Sequence, residues 1–137
     1  MSYYSLFSAM EVSSSGMSAE RTRLNVIASN IANAHVTRTI QGGPYRRKEV
    51  VFSTILNQKI GEGVQVAGIF PDPSPFKMIY EPSHPDANAQ GFVAMPNVDI
   101  AVEMIDMISS TRAYEANITA FKAAESMARK ALEIGRR

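Results

Sequence analysis

Two stretches of the chain repeat apolar residues every seven positions, and the stretch between them does not. Near the carboxyl end Ile100, Met107, Tyr114, Phe121 and Ala128 share one line, with Met104, Ile118 and Leu132 on a neighbouring line. Thr111 and Glu125 are polar exceptions on that second line. Such a stripe predicts a helix with coiled-coil spacing over about residues 99–134. Asp99 stands where an N-cap belongs, behind Pro96 and Asn97, and Gly135 stands where a helix stops. Glu125 and Arg129 are spaced as a favourable i,i+4 pair. A helix of that length runs about 50 Å, more than a small core needs, which suggests a bundle or an assembly element.

The amino-terminal stretch has the same period in Met10, Met17, Leu24 and Ile31, widened by Leu6 and Ile27. Its middle, Ser13-Ser14-Ser15-Gly16, consists of poor helix formers. The pattern predicts a helix that is marginal alone and forms when it packs on something. From Tyr45 to Val93 the period changes. Val50-Val51-Phe52 favours a strand, Gly61-Glu62-Gly63 signals a turn, and Val64 to Phe70 alternates as a strand. Met78-Ile79-Tyr80 and Gly91-Phe92-Val93 read as two further short strands. Pro71, Pro73 and Pro75 between them exclude helix.

Composition sharpens that division. All seven prolines lie within 44–96 and six of the eight glycines within 42–91. The expected organisation is therefore an amino-terminal helix in 1–36, a β-rich segment with Pro/Gly turns in 37–96, and a carboxy-terminal helix in 97–137. In 137 residues this is one modest α+β unit.

Charge and chemistry exclude more than they suggest. Fourteen basic against 13 acidic residues argue against nucleic acid as a partner. The chain has no cysteine, so thiol catalysis and thiolate metal sites are ruled out. No stretch approaches roughly 18 unbroken apolar residues, so no direct membrane span is expected. The first residues lack the basic and apolar regions of a cleaved signal peptide. His84, in Ser-His-Pro-Asp, is expected in a turn, since His35 lies far away and no carboxylate spacing accompanies either. Arg46-Arg47-Lys48 is expected as a solvated strand edge. No catalytic constellation, metal set, cofactor motif or small-molecule site emerges, and no enzymatic activity is expected.

Several strings resemble bacterial flagellar axial proteins, the rod, hook and hook-associated subunits. Ser29-Asn30-Ile31-Ala32-Asn33 followed by Thr37 is similar to their amino-terminal signature. Asn97-Val98-Asp99, Glu103-Met104 and Arg112-Ala113-Tyr114-Glu115-Ala116-Asn117 are similar to their closing helix. Three more specific strings resemble the proximal-rod branch: Gly43-Pro44-Tyr45 within Thr37–Lys48, Asp72-Pro73-Ser74-Pro75-Phe76, and His84-Pro85-Asp86 running on to Asp99. The resemblance implies a structural subunit of the proximal rod, made in the cytoplasm and exported through the flagellar type III apparatus without a cleaved signal. It would assemble helically into the drive shaft that crosses the periplasm. Its partners would be copies of itself, other proximal and distal rod subunits, and ring and export-gate components.

The fold so implied pairs the terminal helices as an antiparallel coiled coil, with the β unit outside. Met10, Met17, Leu24, Ile31, Ile100, Met107, Ile118 and Phe121 are expected in the seam, and Asn30 and Asn33 at the end of the first helix. Two alternatives stand beside this reading. One is another short rod subunit, which Arg38-Thr39 and the His84 loop disfavour. The other, of a different class, is a cytoplasmic helical adaptor or chaperone-like binding module.

Overall fold

The computed structural model describes residues 3–57 and 61–135. The outermost residues of the two expected terminal segments, 1–2 and 136–137, lie outside the described residues. Helix α1 spans Tyr3–Ala32 and helix α2 spans Ile100–Ile134. Between them lie strands β1 (Lys48–Asn57), β2 (Gly61–Pro71), β3 (Lys77–Tyr80) and β4 (Phe92–Met95). The fold is α+β, with long terminal helices and a small β-rich middle.

The helices run antiparallel. Asn30 meets Glu103, Glu20 meets Ser110, and Gly16 meets Asn117, so α1 numbers rise as α2 numbers fall. Helix α1 is the centre of the molecule. It packs on α2 along one side and on the β1–β2 hairpin along another, whereas α2 packs on no described element but α1.

The most deeply buried seam positions of α2 lie beside the apolar stripe rather than on it. The buried α2 positions are Glu103, Ser110 and Ala124, and Asn117 lies against Gly16 of α1. These share the heptad line one residue before Met104, Ile118 and Leu132. Met104 and Leu132 are exposed, as is Ile100 at the start of the helix. Met10, Met17, Leu24, Ile31, Met107, Ile118 and Phe121 are half-buried.

Helix ends follow local chemistry. The Asp99 carboxylate accepts from the Ala101 N–H at 3.0 Å, as an N-cap should. At the other end Gly135 has φ −73°, so it closes α2 in the right-handed region and its left-handed freedom is unused. Helix α1 ends at Ala32, and the Asn33 side chain donates to the Ser29 carbonyl at 2.8 Å, satisfying one of the last free carbonyls.

Both sheets are two-stranded and antiparallel. The β1–β2 ladder runs from Lys48 opposite Pro71 to Asn57 opposite Gly61, with a bulge at Val51/Phe52. Strand β2 thus begins at Gly61, within the stretch expected as a turn. The β3–β4 pair is fastened by an edge-to-face contact of Tyr80 and Phe92 at 5.3 Å. It packs on neither helix. The chain leaving α1 turns back at Gly42-Gly43, both at positive φ (84° and 75°), which a side chain would strain. That turn returns Tyr45 to Ala34 and Val98, the small apolar cluster where both helices and the β unit converge.

Candidate functional site

Two wholly buried polar groups, Asn30 and Glu103, meet where the end of α1, the start of α2 and the start of β1 converge. Asn30 is wholly buried and uses its whole amide. Its Oδ1 accepts from the Lys48 N–H and the Tyr45 hydroxyl, each at 3.0 Å. Its Nδ2 donates to the Lys48 carbonyl at 2.9 Å and to Glu103 Oε2 at 3.0 Å. The amide therefore pairs with both backbone groups of Lys48, as a neighbouring strand would. Ser29, one residue earlier, lies 3.4 Å from the Tyr45 hydroxyl.

Glu103 sits in the first turn of α2, where a negative charge suits the helix dipole, and it too is wholly buried. Its other oxygen accepts from Arg47 Nε. The Arg47 guanidinium also meets Glu49, Asp72 at 3.2 Å and Asp106 at 3.7 Å. Burial pushes the Arg47 pKa down, but hydrogen bonds and charge from Glu103 and Glu49 outweigh it, so the group is held more firmly protonated than a free arginine. The expected solvated edge at 46–48 is therefore corrected at Arg47, whose side chain is only 17% exposed. Four carboxylates draw it inward. Arg46 turns the other way, stacking on Phe76 at 4.2 Å and donating to the carbonyls of Asp72 and Ser74.

The Asp72 and His84 strings are linkers of the same kind. Hydrogen bonds from the Ser74 hydroxyl and N–H hold the Asp72 carboxyl below its ordinary pKa, with Arg47 adding to the effect. Asn97 accepts from the Arg47 N–H at 2.8 Å, drawing the chain before α2 onto the start of β1. Asp86 accepts from Thr37 Oγ1 at 2.8 Å and pairs with Arg38. His84 lies in the turn, where Nδ1 accepts from the Asp86 N–H at 3.1 Å. Pro73, Pro75 and Pro85 are exposed, and Gly43 and Pro44 form the turn before Tyr45.

A groove of about 280 Å³ opens beside this network, bounded by Arg23, Ile27, Asn30, Arg47 and Asp106. Its walls carry cations and carboxylates already turned toward one another. Among the described residues no group of three His, Cys, Asp or Glu side chains is placed to hold a metal ion. No described helix is long and apolar enough to cross a membrane.

This polar centre lies between two segments that match known families separately. Residues 10–38 match the flagella basal body rod protein family, and residues 89–134 match the flagellar basal body rod FlgEFG protein C-terminal family. The similarity extends through the middle as well. The chain is 46% identical to the flagellar basal-body rod protein FlgC of Bacillus subtilis over 147 aligned positions, covering 95% of this chain and 98% of that protein. It is 44% identical to the FlgC of Borreliella burgdorferi, covering 94% and 97%. The chain belongs to the FlgC family. The FlgC of Salmonella typhimurium is 42% identical over 132 positions, covering 95% and 98%. The two FlgC segments that match rod families supply Asn30 and Glu103, the two wholly buried ends of the network.

From the sequence Asn30 is expected only as a helix-end residue, whereas it lies inside α1, which ends at Ala32, and the roles of Glu103 and Arg47 are missed. The signal for Glu103 is the regular line of polar and small residues at 103, 110, 117 and 124, one step from the apolar line.

Proposed function

We propose that this chain is a structural subunit of the proximal part of the flagellar basal-body rod. The observation that carries the reading is the full-length similarity to basal-body rod proteins at 42–46% identity. The outer face of α2 supports it physically. Met104, Ile105 and Ile108 are 55%, 67% and 55% exposed, and with Ala101 they form one i, i+3, i+4, i+7 ridge. Exposed Ala116, Ala120 and Ala123 extend that side with small residues that let another helix approach closely. A patch of this kind on one element marks an interaction surface. Copies of this chain and neighbouring rod subunits are the partners it suits. The three strings shared with the proximal branch favour that branch over other short rod subunits. Contacts with ring and export-gate components, export unfolded without a cleaved signal, and a position across the periplasm belong to the same proposal. So does the division into an inner coiled coil from 1–36 and 97–137, with 37–96 outside it. A role without catalysis completes it.

The test is Ile105→Glu with Ile108→Glu in a flagellated host. Both side chains are exposed, so stability should move by no more than about 0.5 kcal/mol per site. The expected result is a protein of normal helicity, loss of swimming, and basal bodies that lack a complete rod. Swimming cells with intact rods would overturn the assignment of this face.

A further inference from the structure

We infer that Asn30 and Glu103 act as a register pin, selecting one alignment of α1 against α2 and tying that alignment to the start of β1. The need for a pin follows from how little the seam itself discriminates. Of the wholly or nearly buried residues described on the two helices, Ile27 is the one large aliphatic side chain. The others are Ser13, Ala19 and Asn30 on α1 and Glu103, Ser110 and Ala124 on α2. Small and hydroxyl-bearing residues pack against one another about equally well after a slide of one heptad. The half-buried Met10, Met17, Leu24 and Ile31 of α1, and Met107 and Phe121 of α2, recur at seven-residue multiples, so such a slide sets like against like again.

One such slide has an attraction of its own. Moving α2 by seven residues along α1 carries Glu103 from Asn30 to Arg23, and Ser110 from Glu20 to Ser13. Glu103 would gain a cation there, since Arg23 is held only loosely by Asp106 at 4.0 Å. What the slide forfeits is geometric. Asn30 keeps Lys48 and Tyr45 but is left with a buried Nδ2 donor half used, and Arg47 loses its wholly buried partner. A short amide already fixed by three bonds to the β1 start can offer its remaining N–H in one direction only. Charge alone would accept Arg23 as readily as Arg47; the Asn30 amide is what distinguishes the two. Single polar residues in helical seams set register in this way at some expense of stability.

Because the chain has no cysteine, introduced pairs report register cleanly. Glu20→Cys with Ser110→Cys marks the native alignment. Ser13→Cys with Ser110→Cys marks the slide. Each pair is placed in the full chain and in a background of Asn30→Leu with Glu103→Leu, then treated with a short bismaleimide. Exchange of a buried polar pair for apolar residues often leaves a fold intact, and the Lys48 and Tyr45 groups that also lose Asn30 belong to the β1 side rather than to the helix–helix seam. Helicity should therefore persist, while the slid product rises several-fold from a trace. Asn30→Leu alone, which leaves Glu103 charged and free to seek Arg23, should give more slid product than the double variant. Normal helicity with the slid product still at a trace would overturn the proposal. Loss of helicity in both variants would also overturn it, because a register device leaves the helices paired once apolar residues replace it.

Discussion

At the scale of single residues, Arg47 and Glu103 are unequal members of one ion pair. Glu103 is wholly buried and has one cation. Arg47 is partly exposed and has three other carboxylates. Removing the cation should therefore cost more than removing the charge it serves. Arg47→Met strands a buried carboxylate and is expected to cost about 3–5 kcal/mol. Glu103→Gln keeps an acceptor for Asn30 and leaves Arg47 its other partners, so about 1–2 kcal/mol is expected. Urea unfolding with unchanged m-values compares the two directly. Equal costs would mean that Glu103 does not depend on Arg47.

At the scale of elements, the Ser13–Gly16 stretch shows why a poor helix sequence can be required. A Cβ on Gly16 would lie 2.9 Å from both Asn117 Nδ2 and Oδ1. Ser15 Oγ accepts from the Val64 N–H at 3.1 Å, so this stretch touches α2 on one side and β2 on the other. Gly16→Ala should gain up to about 1 kcal/mol of helix propensity and lose it to the displaced Asn117 amide. In an Asn117→Ala background the gain should appear, raising stability by about 1 kcal/mol on thermal unfolding. A gain in the parent chain would show that the crossing has room.

The same stretch shows how much of the fold was legible. Period and punctuation placed both helices and all four strands, because apolar spacing and proline placement act locally. The orientation of α2 about its axis was not legible, because an apolar stripe tells which side avoids water, not what covers it. Here Met104 and Ile105 face outward while Glu103 and Ser110 face α1. A reading that equates apolar with intramolecular seam turns such a helix by one position. Asn30 was visible as a helix-end residue. Its pairing with Lys48 and Glu103, 18 and 73 residues away, depends on tertiary geometry that no local pattern encodes.

At the scale of the whole molecule, the two hairpins are attached by different physics, and acid should separate them. The β1–β2 hairpin packs along α1, whereas β3–β4 packs on neither helix. Its polar ties to the helical part are Thr37 and Arg38 to Asp86, and Lys77 Nζ to the Val98 carbonyl at 3.0 Å, while Ile79 and Met95 line a shallow groove with Ala34 and Val98. The hydrogen bond from Thr37, helped by the charge of Arg38, holds the Asp86 carboxyl below the ordinary carboxylate range. A carboxyl lowered on folding stabilises the attached state above its unfolded pKa, and the contribution fades as pH falls through the lower folded value. Between neutral pH and about pH 4 the tie should be intact. Below that, amides of the 84–92 loop should lose hydrogen-exchange protection while those of the α1–α2 crossing keep theirs. Asp72 titrates in the same direction, so the assignment needs a control. Thr37→Val removes the leading cause of the Asp86 shift and leaves Asp72 untouched. It should move the onset of loop exposure to higher pH, toward the ordinary carboxylate range. Loss of protection in both hairpins at one common pH, in parent and variant alike, would instead make the β middle a single cooperative unit with the helices.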